Sequence, residues 1–274
     1  MSETAYTPEF FSWALERTRS SAEAIVPLVI ERVGPRSVVD FGCGIGIWLD
    51  AFARHGIGDY LGADGPWVPR EALQIPPERF VATQLDEAVR LGRRFDLAVA
   101  LEVAEHLPEH RAKRFVRNLV DHADCVLFSA AIPHQGGTDH LNEQWPDYWA
   151  VLFAEHGYVA VDAIRPQIWS NSAVLPFYRQ NVLIFATPEF IATRPPLIRD
   201  RDRTVDGQLA LVHPDLMSSI AANPGEHVRR PSARELMLGE LLTALPSAVA
   251  RSLRWRLGRL TRRTSRRPRR GSPP

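Results

Sequence analysis

Two groups of residues in this 274-residue chain have the types and spacing to do chemistry. The first is Val38-Val-Asp40-Phe-Gly42-Cys43-Gly44-Ile-Gly46. Glycines so spaced let a backbone turn sharply and approach a ligand closely. A dinucleotide-binding turn wants glycines at relative positions one, three and six, here 42, 44 and 47. Residue 47 is Ile. An acid two residues ahead of the first glycine would repel a pyrophosphate but suits a ligand carrying an ammonium and a sulfonium. Asp40 therefore favours S-adenosylmethionine over NAD. Asp64 follows 24 residues later, one strand–helix–strand step away, where a carboxylate can accept hydrogen bonds from both ribose hydroxyls. Singly, Asp40 reads as a helix cap and Asp64 as turn chemistry. Together at this spacing they favour the ligand.

The second group is Glu102-Val-Ala-Glu105-His106, with a later segment, His134-Gln-Gly-Gly-Thr-Asp-His140-Leu-Asn142-Glu-Gln144-Trp145. A helix starting at Glu102 would put Glu102 and His106 on one face. Trp145, ahead of Pro146, is a candidate acceptor contact, with Asn142, Gln144 and His134 beside it to hydrogen-bond. With Trp169 and Tyr178 the segment could form a stacking wall for a sugar ring or a planar acceptor. Trp149 and Phe153, four apart, read as core.

The elements that must position these residues alternate. Residues 8 to 33 have helical spacing, with an interruption expected near Pro27. Short strands are expected at Ser37–Phe41, Asp59–Asp64, Phe80–Thr83, Phe95–Leu101, Cys125–Ile132, Tyr158–Ile164 and Asn181–Thr187. Helices are expected at 48–55, 111–122 and 147–156. Strands alternating with helices predict an α/β fold, a doubly wound, mostly parallel seven-stranded sheet. No helix is evident between the last two strands, so the seventh is expected to enter antiparallel. Both residue groups then fall at the carboxyl edge of the sheet, where ligands of such folds collect.

From about Val38 to Phe185 the sequence resembles the class I SAM-dependent methyltransferases. The resemblance rests on Asp40-Phe-Gly-Cys-Gly-Ile-Gly46, Asp64 and Phe95-Asp-Leu-Ala-Val-Ala-Leu-Glu102-Val-Ala-Glu105-His106. It implies a Rossmann-like fold, S-adenosylmethionine as cofactor, and a cofactor-binding set of Asp40, Gly42, Cys43, Gly44, Gly46, Asp64, Gly65, Gln84, Leu85 and Glu102. Gln84 stands where the family often has an acid beside the adenine. The resemblance also implies that the Glu-x-x-Glu-His stretch lines cofactor and acceptor, and in some relatives helps hold a divalent cation. Three readings of His106 and His140 remain open. Either is a general base for an acceptor hydroxyl, with Glu105 beside it. Alternatively both are metal ligands with Glu102 and Glu105. Or Glu105 and His106 only begin a helix and His140 only fills a loop. The segment around Trp145 looks like one in bacterial methyltransferases of surface-glycan gene clusters. O-methylation of a sugar, glycan or glycolipid precursor is the first expectation. A quinone, phenol or polyketide acceptor is the second, and a non-catalytic SAM-binding regulator the third.

Composition sets limits. Hydrophobic residues at 45% and charged residues at 24% describe a globular chain. Two cysteines, Cys43 and Cys125, make no disulfide framework. No run reaches the roughly 18 apolar residues of a membrane span, and the N-terminus lacks a secretory pattern. A cytoplasmic location is the expectation. The net charge of +1 conceals an asymmetry, because residues 251 to 270 hold ten arginines and no acid. Without them 23 basic side chains face 32 acidic ones, a net charge of −9. The domain reading is a catalytic domain over 1–190, with a helical lid over 1–34 carrying Tyr6, Phe10, Trp13 and Arg17. An irregular linker follows over 191–232, then C-terminal helices over 233–263 and a disordered tail over 264–274. The basic amphipathic end suits an anionic membrane surface; a merely solvated end is the rival, and nucleic acid is disfavoured by the acidic body. Nothing in the sequence fixes an oligomeric state.

Overall fold

The computed structural model describes residues 8 to 222. The chain divides into a compact unit over residues 1–228 and a second over 229–274. All described residues belong to the first. The C-terminal helices, the Arg-rich end and Tyr6 lie outside the described residues, as do the side chains of Phe10, Trp13 and Arg17.

In chain order the elements are α1 (Pro8–Val33), β1 (Ser37–Phe41), α2 (Ile47–Arg54), β2 (Asp59–Asp64), β3 (Phe80–Ala82), β4 (Leu97–Leu101), α3 (Ala112–His122), β5 (Cys125–Ser129), α4 (Pro146–Ala154), β6 (Val159–Val161), α5 (Arg165–Ile168), α6 (Pro176–Asn181), β7 (Leu183–Ala186), α7 (Pro188–Ala192), α8 (Pro195–Arg203) and α9 (Pro214–Ala222). The sheet order is β3-β2-β1-β4-β5-β7-β6. Strands β1 to β5 pair in parallel. β7 runs antiparallel to both β5 and β6, as expected. β4 and β5 are buried along their whole length, which explains their continuous apolar sequences: helices cover both faces of such strands. One core cluster packs α1 and α2 against one face of the sheet. The other packs α3 and α4 against the opposite face, where Phe153 stacks on Phe185 at 4.1 Å.

Three sequence expectations change. α1 continues through Pro27. Its stripe Ala22, Ile25, Val26 and Val29 is fully buried, and that packing outweighs the hydrogen bond the ring removes. Two short helices, α5 and α6, fill the connection before β7, too short to show as periodicity. The stretch after 191, whose composition predicts an irregular linker, carries α8 and α9. Leu197, Leu209 and Leu216 are buried there. Arg165 fastens this stretch, donating to Gln180 O and Leu209 O at 3.2 and 2.7 Å while pairing through two nitrogens with Asp162.

The sheet order reverses between β1 and β4. In this architecture the crevice at that reversal, outside the carboxyl ends of the strands, takes the ligand. The glycine turn leaves β1 there and Glu102 leaves β4 beside it.

Candidate active site

The turn after β1 holds Gly42, Gly44 and Gly46 at φ of 86°, 52° and 87°, all left-handed. At Gly42 a side chain would also collide, because a Cβ would lie 2.4 Å from Val103. At Gly44 nothing stands within 4 Å; that position faces the open cleft, and a side chain there would take the ligand's space. Asp64 locks the turn. Its Oδ2 accepts from Gly44 N at 2.7 Å and its Oδ1 from Gly65 N at 2.6 Å. Each carboxylate oxygen can accept a further hydrogen bond, so Asp64 retains capacity for ribose hydroxyls. Burial pushes its carboxyl up to about 6, against the lowering effect of those two N–H groups.

The cleft in front of this turn, with its open mouth, encloses about 880 Å³ of free space. Of the expected cofactor set, Gly42, Cys43, Gly44, Asp64, Leu85 and Glu102 line it. Gly46, Gly65 and Gln84 do not line it. Gly46 begins α2, Gly65 leaves room for an indole ring, and Gln84 is exposed. Asp40 sits beneath the turn at 2% exposure with no partner for Oδ2. Burial and the neighbouring Asp64 charge push its carboxyl well up. Asp40 does not line the cleft. α1 reaches the cleft at Thr18.

Three aromatic residues of the cleft were not singled out as cofactor contacts from the sequence. Trp67 lines it and lies over Gly65, where a Cβ would fall 2.1 Å from the indole. An aromatic three residues after the ribose acid was the available signal. Trp48 and Tyr178 line it too, meeting edge to face at 5.1 Å. Tyr178 therefore belongs to the cofactor side, and Trp169 packs on His213 at 4.6 Å. The expected wall joining both to Trp145 does not form.

The second residue group forms a cluster against the same cleft. Glu102 follows β4, and a single 3₁₀ turn, Ala104–His106, replaces the helix expected there. Glu102 itself is left-handed at a φ of 54°, and a second 3₁₀ turn, Glu109–Arg111, leads into α3 only after Pro108, so Glu102 and His106 share no helix face. His106 lines the cleft and meets the His140 ring edge-on at 4.9 Å. Glu105, His106 and His140 each bring one ligand atom to within 4.8 Å of the others. Glu102, the fourth metal candidate, is outside this group. Its carboxylate accepts from Asn181 Nδ2 at 3.1 Å and Gln135 Nε2 at 2.8 Å.

Glu105 is fully buried, and neither carboxylate oxygen has a hydrogen-bond partner of good geometry, although the Ala131 backbone and the Glu102 carboxyl lie close to it. Burial and the Glu102 charge push its carboxyl well up. Burial and His140 bring His106 down to about 4, so its imidazole is neutral at pH 7, and its Nδ1 is buried without a partner. Glu143, which the sequence reading passed over, organises the loop. It accepts from His134 N at 2.9 Å and Gly136 N at 2.7 Å, and meets His140 Nδ1 at 2.9 Å. Burial raises its carboxyl, but the His140 hydrogen bond and charge and the two N–H groups bring it below its usual value overall. Gly137 clears space for His140, since a Cβ would lie 2.3 Å from Nε2.

The acceptor candidates divide. Asn142 is scaffold: its N–H, like that of Leu141, donates to Glu105 O, and its Oδ1 accepts from Gln144 Nε2 at 2.9 Å. His134 is exposed. Trp145 is 40% exposed at the start of α4. None of these four lines the cofactor cleft.

The sheet order, the antiparallel seventh strand and the glycine-turn cleft at the reversal are those of the Rossmann-like methyltransferase fold. Residues 14–165, more than half the chain, match the family described as Methyltransferase domain, and the chain belongs to it. Among solved structures it is similar to an O-methyltransferase assignment from Nostoc punctiforme, at 17% identity and a TM-score of 0.51, over 65% of this chain and 59% of that one. It is also similar to a sugar N-methyltransferase from a Streptoalloteichus species, at 15% identity and a TM-score of 0.51, over 67% and 93%. No curated protein matches.

Proposed function

We propose that this methyltransferase transfers its methyl group to a hydroxyl of a sugar, glycan or glycolipid precursor. The observation that carries the reading is His106, which lines the cofactor cleft and touches His140 and thereby the Glu143–His140 pair. The acceptor oxygen forms a bond to the methyl carbon as the carbon–sulfur bond breaks, leaving neutral S-adenosylhomocysteine, and the hydroxyl proton passes to an imidazole. Positioning supplies most of the catalysis. His140 is the better base of the two, since Glu143 orients it, whereas His106 titrates too low to hold a proton at neutral pH. The exposed Trp145 ring beside the loop favours a sugar face over a small polar acceptor. The test is S-adenosylhomocysteine release with a panel of nucleotide sugars and glycolipid headgroups against quinols and phenols. Turnover confined to the phenols overturns the acceptor class, and SAM binding without any turnover supports a regulator.

A divalent cation is favoured by a separate observation, the orphaned buried atoms of Glu105 and His106. One carboxylate and two imidazoles suit a first-row divalent ion. Glu105, His106 and His140 would hold it, with Glu143 orienting His140. Such an ion acidifies a bound hydroxyl. Activity unchanged after dialysis against EDTA removes this reading.

Peripheral membrane association rests on the ten arginines of residues 251–270. No helix among the described residues is long and apolar enough to cross a membrane. Truncation after Ala250 is expected to abolish sedimentation with anionic liposomes; persistent binding overturns it.

A further inference from the structure

Glu102 lines the cofactor cleft at a φ of 54°, left-handed for a residue with a side chain. Such backbone persists only where its surroundings enforce it. Ser129 grips the backbone, its O and Oγ accepting from Glu102 N at 3.0 and 3.1 Å. The carboxylate is gripped by two neutral amides, Asn181 on Oε1 and Gln135 on Oε2. None of the ion pairs among the described residues involves Glu102. An arginine in either place would have cancelled the charge. The amides fix the group without supplying an opposite charge.

Backbone donors set the direction of both amides. The His213 N–H, which can only donate, binds Gln180 Oε1 at 2.8 Å. Gln180 Nε2 is thereby turned to Asn181 Oδ1 at 2.8 Å, and Asn181 is left with Nδ2 for Glu102. On the other side the Ile132 N–H binds Gln135 Oε1 at 3.3 Å, so Gln135 turns Nε2 to Glu102. The second hydrogen of Asn181 Nδ2 closes the ring on Gln135 Oε1 at 2.9 Å. His213 is itself held, with Nε2 on Trp169 O at 2.8 Å and Nδ1 accepting from Asp215 N at 3.1 Å. Gln135, Gln180, Asn181 and His213 are all under 8% exposed, so water does not compete for these bonds.

We propose that Gln135 and the His213–Gln180–Asn181 relay are positioning groups for Glu102, and that Glu102 is the anionic contact for the cationic methionine end of the cofactor. The inference deepens the cofactor assignment and rests on it. It also gives the segment around His213, beyond the expected catalytic boundary at 190, a part in cofactor binding.

The test is calorimetric binding of SAM and of 5′-methylthioadenosine, which shares the adenosine but lacks the amino-acid end and the positive charge. Asn181→Leu, Gln135→Met and Glu102→Gln are each expected to weaken SAM about tenfold, about 1.4 kcal/mol, and to leave methylthioadenosine within twofold. In the Glu102→Gln background the two relay substitutions are expected to add less than twofold, because their effect runs through the carboxylate. Parallel losses for both ligands, unchanged SAM affinity, or full additivity with Glu102→Gln overturns the proposal. If Asn181→Leu does not fold, Gln135→Met carries the same comparison from the loop side. A parent chain that does not bind SAM overturns the cofactor assignment as well; a parent that binds while its variants lose both ligands equally overturns the relay alone.

Discussion

The two walls of the site differ in how completely they are satisfied. On the glycine-turn wall, both Asp64 oxygens take backbone N–H groups and the turn is closed by its own hydrogen bonds. On the histidine wall, Glu105 and His106 carry buried polar atoms with no partner. The three non-glycine residues with positive φ among the described residues, Glu102, His134 and Asp139, all lie on that second wall or its loop. Buried polar groups without partners cost about 1–3 kcal/mol each, so the histidine wall, with both Glu105 oxygens and His106 Nδ1 against the single Asp40 Oδ2 beneath the glycine turn, stores the larger demand for a ligand. The glycine wall is therefore read as a preformed seat for the adenosine part of the cofactor, and the histidine wall as the place where the proposed acceptor and its proton meet the cofactor's methionine end at Glu102.

Removing His140 tests that division most severely. His140→Ala is expected to cut kcat about 10²- to 10⁴-fold, the range for a lost general base, with SAM affinity within twofold by calorimetry. Glu143→Gln keeps the loop's shape but weakens the partner that orients His140, and a loss of about 10- to 100-fold is expected. If either variant loses SAM affinity in proportion to its rate, the walls are not separate. If Glu143→Gln falls as far as His140→Ala, the carboxylate does more than orient.

The glycine wall was also the legible one. Asp40, the glycines and Asp64 sit within a single strand–turn–helix–strand step, so local sequence spacing carries their geometry. The strands were legible for the same reason: β4 and β5 are continuous apolar runs because both faces are covered. The histidine wall is built from distant pieces. Asn181 reaches Glu102 across 79 positions and Gln135 across 33, and no periodicity reports such pairings. Glu143 carried a faint signal, three residues beyond His140. α8 and α9 were hidden by their Pro- and Arg-rich composition, since a few buried leucines and the Arg165 hydrogen bonds hold them in place. No helix spans Glu102 to His106, because Glu102 is held left-handed by Ser129 and by distant amides that local sequence does not report.

A pH titration separates the walls by a second route. The Asp64 carboxyl stands near 6 in the fold against an ordinary value of 3.8. A raised carboxyl favours its neutral form in the folded state, so its contribution to stability is fully present below about pH 4 and is lost as pH rises through 6. The contribution is about 3 kcal/mol for the ligand-free protein. Ribose hydroxyls need the ionised form, so SAM binding below pH 6 must expel the proton. SAM affinity is expected to fall toward tenfold per pH unit below 6, with proton release visible as a buffer-dependent heat at pH 5. Affinity that is flat from pH 5 to 7 removes Asp64 from the contact.

The smallest effect is expected at Trp67, which shows whether the cofactor wall extends past Asp64. Its indole faces the cleft and is let in by Gly65, the geometry of a stacking surface for the adenine. Trp67→Leu keeps apolar bulk and removes the aromatic face, a change of about 0.5–1.5 kcal/mol or roughly two- to tenfold in affinity. Because adenine is common to SAM and S-adenosylhomocysteine, both should weaken equally, and kcat at saturating SAM should stay within twofold. A loss confined to kcat, with both affinities intact, would place Trp67 on the acceptor side and move the division between the walls from Asp64–Gly65 to the turn before it.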